Sequence, residues 1–135
     1  MNYLFTYLAV AIAFVAIDMI WLGTMAERLY RPVLGEMLRL QPNLAAAAVF
    51  YLLYPVGLIR FAVLPAHEDG SLLKALAAGL MFGFFTYATY DFTNQATLRN
   101  WSTSLSLIDI AWGTSLAAVS ATVTVALAMR FWPLR

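Results

Sequence analysis

The chain has 135 residues, of which 63% are hydrophobic and 11% charged, with no cysteine and a formal net charge of +1. That balance excludes a soluble globule, which must keep a polar surface, a disordered chain, and a cysteine-stapled secreted domain. It also leaves no basic footprint for nucleic acid. The sequence reads instead as an all-α integral membrane protein. At about 20 residues per crossing, a four-helix bundle fills residues 1–135 as one transmembrane domain.

Span one is expected over 3–24, with a single acid, Asp18, near its end. It reads as a retained span, because it lacks a basic n-region and is too long and aromatic for a cleavable signal. The stretch AERLYRPVLGEMLRLQPN that follows is too polar to cross. Its apolar residues recur at helical spacing, which predicts a short interfacial helix broken near Pro32 or Gly35. Span two is expected over 44–64, opened by Pro42-Asn43 and closed by Pro65, with a kink or a freed carbonyl near Pro55. The loop PAHEDGS reads as a plain polar turn, with His67 a solvated surface group. Span three is expected over 73–94, and Ala75, Gly79 and Gly83 form a small-residue ridge for helix packing. Span four is expected over 105–132 and carries Gly113 on its packing face. Basic residues divide four against four between the two sides, so the positive-inside rule returns no orientation. The side holding the N-terminus is side A here, and the opposite side is side B.

Four of the seven acids fall in predicted loops; Asp18, Asp91 and Asp109 do not. A carboxylate at a span centre costs about 2.5–3.5 kcal/mol on insertion scales. Asp18 and Asp91 come late in spans that run toward side B, and Asp109 comes early in a span that leaves it. All three therefore fall at one depth near side B. Positions three and four apart share a helical face, which gives Asp18 the company of Trp21, and Asp91 that of Tyr87 and Asn94. Asp109 shares its face with Trp112 and Gly113, and that face continues through Ser120 and Thr124. Tyr90 and Thr93 lie next to this set in sequence. Indole, phenol and amide groups are donors suited to a buried carboxylate. A polar, aromatic pocket opening to side B follows, and Arg28, Arg31 or Arg99 at that interface is the alternative source of compensating charge. Close carboxylates resist simultaneous ionisation, so the cluster is expected to titrate protons. Zinc is poorly supported by one histidine and no cysteine. Clustered aspartates have the hard-oxygen chemistry of magnesium, but no metal, cofactor or catalytic residue is assigned.

Asp-x-x-Trp occurs twice, in Ile17-Asp-x-x-Trp-Leu-Gly-Thr and Ile108-Asp-x-x-Trp-Gly-Thr. The depths of the two aspartates in their spans do not match a strict inverted repeat, and convergent use of the pair is the expectation. Together, DMIWLG, PNLAAAAVFYLLY, YDFTNQATL and DIAWGT resemble a family of small bacterial membrane proteins classed as domain of unknown function 2177. The likeness covers essentially the whole chain. It implies a four-span protein of the bacterial inner (cytoplasmic) membrane. Asp18, Trp21, Tyr90, Asp91, Thr93, Asn94, Asp109, Trp112 and Gly113 stand at its motif positions. It implies no activity, and points to membrane-lipid-modifying or stress-response proteins as neighbours.

The leading expectation is a site that binds or passes a small polar or cationic molecule or a lipid headgroup. An intramembrane lipid-modifying enzyme or subunit is the first alternative. A structural scaffold, in which the polar groups only tie helices together, is the second. Membrane lipids, a second copy of the chain and lipid-modifying membrane enzymes are the expected partners.

Overall fold

The structure is a computed structural model, and it describes residues 2–133. Six α-helices follow one another: α1 Tyr3–Met25, α2 Arg31–Leu34, α3 Leu44–Leu58, α4 Leu64–Glu68, α5 Leu72–Thr97 and α6 Thr103–Phe131. Two π turns, Ala26–Tyr30 and Ile59–Val63, join α1 to α2 and α3 to α4. Four continuous stretches are thereby long and apolar enough to cross a membrane: Tyr3–Met37, Leu44–Glu68, Leu72–Thr97 and Thr103–Phe131. No strand occurs among the described residues.

Polar residues set the helix starts. Asn2, Asn43, Ser71 and Ser102 each accept a hydrogen bond from the backbone N–H three residues on, which satisfies one of the donors that a helix start leaves free. Gly35 and Gly70 take positive φ, 54° and 60°, at the breaks after spans one and two. That region is open to glycine without Cβ strain.

Several boundaries differ from the sequence reading. The stretch expected as a separate interfacial helix continues span one through a π turn and α2, turns at Gly35 and ends in a short 3-10 turn at Met37. Span two does not stop at Pro65. Proline is tolerated in the first turn of a helical segment, and Pro65 opens α4 directly after the second π turn. His67 is therefore helical and 4% exposed, not a solvated loop residue. Only Asp69 and Gly70 form the turn. Span three runs to Thr97 and span four begins at Thr103. Pro55 sits inside α3, and the irregular turn comes one turn later, at Ile59–Val63.

The core of the bundle is the antiparallel pair α5 and α6. Their backbones meet where Gly79 and Gly83 face α6. A Cβ at Gly79 would lie 2.7 Å from the Ala118 Cα, and one at Gly83 would lie 2.6 Å from the Gly113 carbonyl oxygen. Between lipid tails no hydrophobic force drives helices together, so close backbone approach through small residues replaces it. Around this seam pack Val10 of α1, Leu58 of α3, and Ala62, Val63 and Ala66 behind them, with Ala75, Ala117, Ala121 and Val125. α1 is tied to α3 by the Tyr7 hydroxyl, which donates to the Leu52 carbonyl at 3.0 Å.

Gly79→Leu should therefore force α5 and α6 apart and destabilise the bundle by about 1–3 kcal/mol, the usual cost of overpacking. Gly23→Ala, with nothing within 4 Å of the new methyl, should leave stability unchanged. Unfolding of both variants in detergent, followed by circular dichroism, checks the contrast.

Candidate functional site

The three aspartates lie at a common depth. Asp91 is six residues before the end of α5, Asp109 six after the start of α6, and Asp18 seven before the end of α1. At 1.5 Å per residue each is about 9–11 Å inside its helix end. All three are buried, Asp18 at 6%, Asp91 at 0% and Asp109 at 5% exposure.

The two Asp-x-x-Trp pairs interlock. Trp21 and Trp112 stack face to face, with ring centroids 4.3 Å apart and planes 7° from parallel. Each indole serves the aspartate of the other helix. Trp112 Nε1 donates to Asp18 Oδ1 at 3.0 Å. Trp21 Nε1 donates to the Tyr30 hydroxyl at 3.0 Å, and Tyr30 donates to Asp109 Oδ1. The second oxygen of Asp18 accepts from the Tyr51 hydroxyl at 2.6 Å. The antiparallel run of α1 and α6 makes this exchange geometrically natural: one motif lies late in its helix and the other early, so they cross at one level.

Asp91 is the exception. It lies beside Asp109 of the facing helix, and neither of its carboxyl oxygens has a hydrogen-bond partner among the described residues. Two carboxylates offer each other only acceptors. A hydrogen bond between them exists only with a proton on one, and an incoming N–H donor would serve equally. Among the described residues no three His, Asp or Glu side chains converge as a metal-ligand set. The three aspartates form a pair and a neighbour rather than a cage.

Gly113 is required beside this pair. A Cβ there would lie 2.1–2.2 Å from Tyr87 ring atoms, so Tyr87 packs directly on the bare backbone of α6. Tyr54 meets Tyr87 edge to face at 6.3 Å and shares a 3.1 Å hydrogen bond with Thr86. Phe14 of α1, fully buried, packs on Tyr54 at 4.6 Å and on Tyr51 at 6.2 Å. Aromatic rings thus close the site from below.

Not every residue singled out in the sequence joins this group. Thr93 is exposed, and its hydroxyl bonds back to its own helix at Thr89 and Tyr90. Tyr90 is 54% exposed and rests edge-on against Trp101 at 5.6 Å. Asn94 is half-buried. Ser120 and Thr124 are buried farther along α6 toward side A; the Thr124 hydroxyl donates to the Ser120 carbonyl, and the Ser120 hydroxyl is unpartnered among the described residues. Tyr30 and Tyr51 were missed by reading each helix alone, because each reaches an aspartate on another helix. The only available signal was their place: a tyrosine in the polar stretch after span one, and one in the FYLLY run of span two.

Residues 3–126 match a family model described as "Predicted membrane protein (DUF2177)". The chain belongs to this family. No match was found among curated proteins or among solved structures. The family description agrees with the four helices capable of spanning a membrane and carries no activity or site.

Tyr30→Phe and Tyr51→Phe each remove one donor from a buried carboxylate and keep the ring. Each should cost about 0.6 kcal/mol, the average for hydrogen bonds between membrane helices, and no more than about 1.7 kcal/mol. Trp112→Phe, which loses both the Asp18 donor and the full stack, should cost more than either. Reversible unfolding in mixed micelles provides the ranking.

Proposed function

We propose that the buried aspartate cluster near side B binds a small organic cation and releases a proton as it does so. The observation that carries this reading is Asp91: fully buried, facing Asp109, with both oxygens lacking a donor. In a membrane interior an uncompensated carboxylate is costly, and ionisable residues there mark function by default. With no ligand bound, one proton between Asp91 and Asp109 supplies the missing hydrogen bond. A cationic N–H donor can replace that proton and leave both carboxylates ionised, so binding and deprotonation are linked.

The surroundings support a cation rather than an anion. Three acids meet at this level, and no basic side chain forms an ion pair with any of them among the described residues. Tyr30 supports a gate. It caps Asp109 from a π turn, a feature frequent at functional sites, and movement of this turn would uncover the pair.

The test uses purified protein in weakly buffered detergent, titrated with ethanolamine while a pH dye reads the solution. Proton release that saturates with ethanolamine is expected. Asp91→Asn should abolish the release and weaken binding by about tenfold, equivalent to about 1.4 kcal/mol. Unchanged release in both Asp91→Asn and Asp109→Asn would falsify the reading.

A further inference from the structure

Span two carries a guanidinium in a costly place. Arg60 stands eight residues before Glu68, the side-A end of that span, which puts it about 12 Å inside at the helical rise. It is exposed and forms no ion pair among the described residues. In a membrane-spanning helix that exposure is to lipid, where a lone cation calls for a partner of opposite charge. Arg60 and Phe61 both belong to the π turn Ile59–Val63, an irregularity of the kind that recurs at functional sites. Beside them opens a groove of about 670 Å³. Phe61 forms one wall, and Ala78, Met81, Phe82, Phe85 and Thr89 of α5 form the other. These five positions recur three and four apart and share one helix face, over a length of about 16 Å. Asp91 lies about 200° round α5 from that face and is fully buried, so the groove and the aspartate cluster are separate.

We propose that this groove seats one acyl chain of a phospholipid from the side-A leaflet, with the lipid phosphate paired to Arg60. Level, shape and charge carry the inference. Tyr54 meets Thr86, and Gly57 receives the Phe82 ring. That antiparallel pairing sets Arg60 opposite the Ala78 end of the groove, which then runs from the guanidinium toward side B. An anion at its head and an apolar chain behind it is the build of a phospholipid entering from side A. The walls are apolar and aromatic, and the Phe61 ring stacks on Phe82 at 5.9 Å, so the slot offers a chain two packed rings. Lys74 lies on the same face of α5, one turn before Ala78, but its ammonium is held by Asp69. Arg60 is therefore the cation left to the ligand. A guanidinium also matches phosphate with two parallel N–H donors. A free phosphate ion would lack the chain that the groove accommodates.

The experiment uses nanodiscs containing the full chain and phosphatidylglycerol with a photoreactive diazirine on its acyl chain; crosslinks are mapped by mass spectrometry. Labelling is expected to concentrate on Phe61 and on the stretch from Met81 to Thr89. Unlabelled phosphatidylglycerol and phosphatidylethanolamine should compete, since both carry the phosphate, and diacylglycerol should not. Arg60→Gln should cut labelling by about tenfold. Arg60→Lys should keep most of it, and Arg28→Gln, exposed near side B, all of it. Thr89→Phe, whose lost hydroxyl bonds only its own helix backbone, fills the far end of the groove and should cut labelling with an unchanged melting temperature. Asp91→Asn should leave labelling as it is, which keeps this site distinct from the proposed cation site. Even labelling over all lipid-facing surfaces overturns the proposal, as does full labelling in Arg60→Gln or equal competition by diacylglycerol. A dimer in native mass spectrometry with the groove unlabelled also overturns it, and assigns the face to a second copy of the chain.

Discussion

The arrangement near side B depends on two indoles lying flat on each other. Trp21 and Trp112 come from helices that run in opposite directions, and their stack fixes both the level and the rotation at which α1 meets α6. Once that is fixed, Asp18 sits under the indole of one helix, and Asp109 under the tyrosine held by the other. In lipid, where burying apolar surface adds nothing to helix association, such a directional contact specifies register that a smooth apolar face cannot. The glycine seam between α5 and α6 plays the complementary part. It brings Asp91 to Asp109 by letting two backbones approach until Tyr87 rests on Gly113.

A division of labour follows along the bundle axis. Toward side A the interior is built of small side chains, with Ala62, Ala66, Ala75, Ala117 and Ala121 in one cluster and the buried polar groups Ser120, Thr124 and His67 around it but no buried acid. Toward side B it is aromatic and acidic. The carboxylates are held by donors from three different helical segments, so their hydrogen bonds report the assembled bundle and not any one helix. Asp91 alone of the three has no donor supplied to it among the described residues, and that asymmetry sets it apart from two otherwise similar acids. Asp18, by contrast, has both oxygens satisfied.

The number of spans and the shared depth of the aspartates were readable in the sequence, because both follow from counting apolar residues and alternating direction. The small residues of α5 were readable for the same reason: their spacing is periodic. The partners of the aspartates were only half readable. Periodicity reveals neighbours on one helix, which found Trp21 and Trp112, but it assigned each to its own aspartate when the indoles cross over. Tyr30 and Tyr51 lay beyond its reach altogether, since nothing local marks a residue that acts on a distant helix. Pro65 misled in another way. It signals an end in an ordinary α-helix, and here it follows a π turn that has already broken the regular ladder, so His67 was carried into the core.

The π turn at Ala26–Tyr30 also bears on how this architecture tolerates change in length. A π turn holds one residue more than the α turn it replaces, and one residue rotates everything beyond it by about 100°. Removing a single residue there would restore a smoother helix and a better local hydrogen-bond ladder. It would also swing Tyr30 away from Asp109 and free the indole of Trp21. Span one is thus a segment in which a locally more regular backbone means a less complete protein, and its length is held by a contact made to α6, the last helix in the chain.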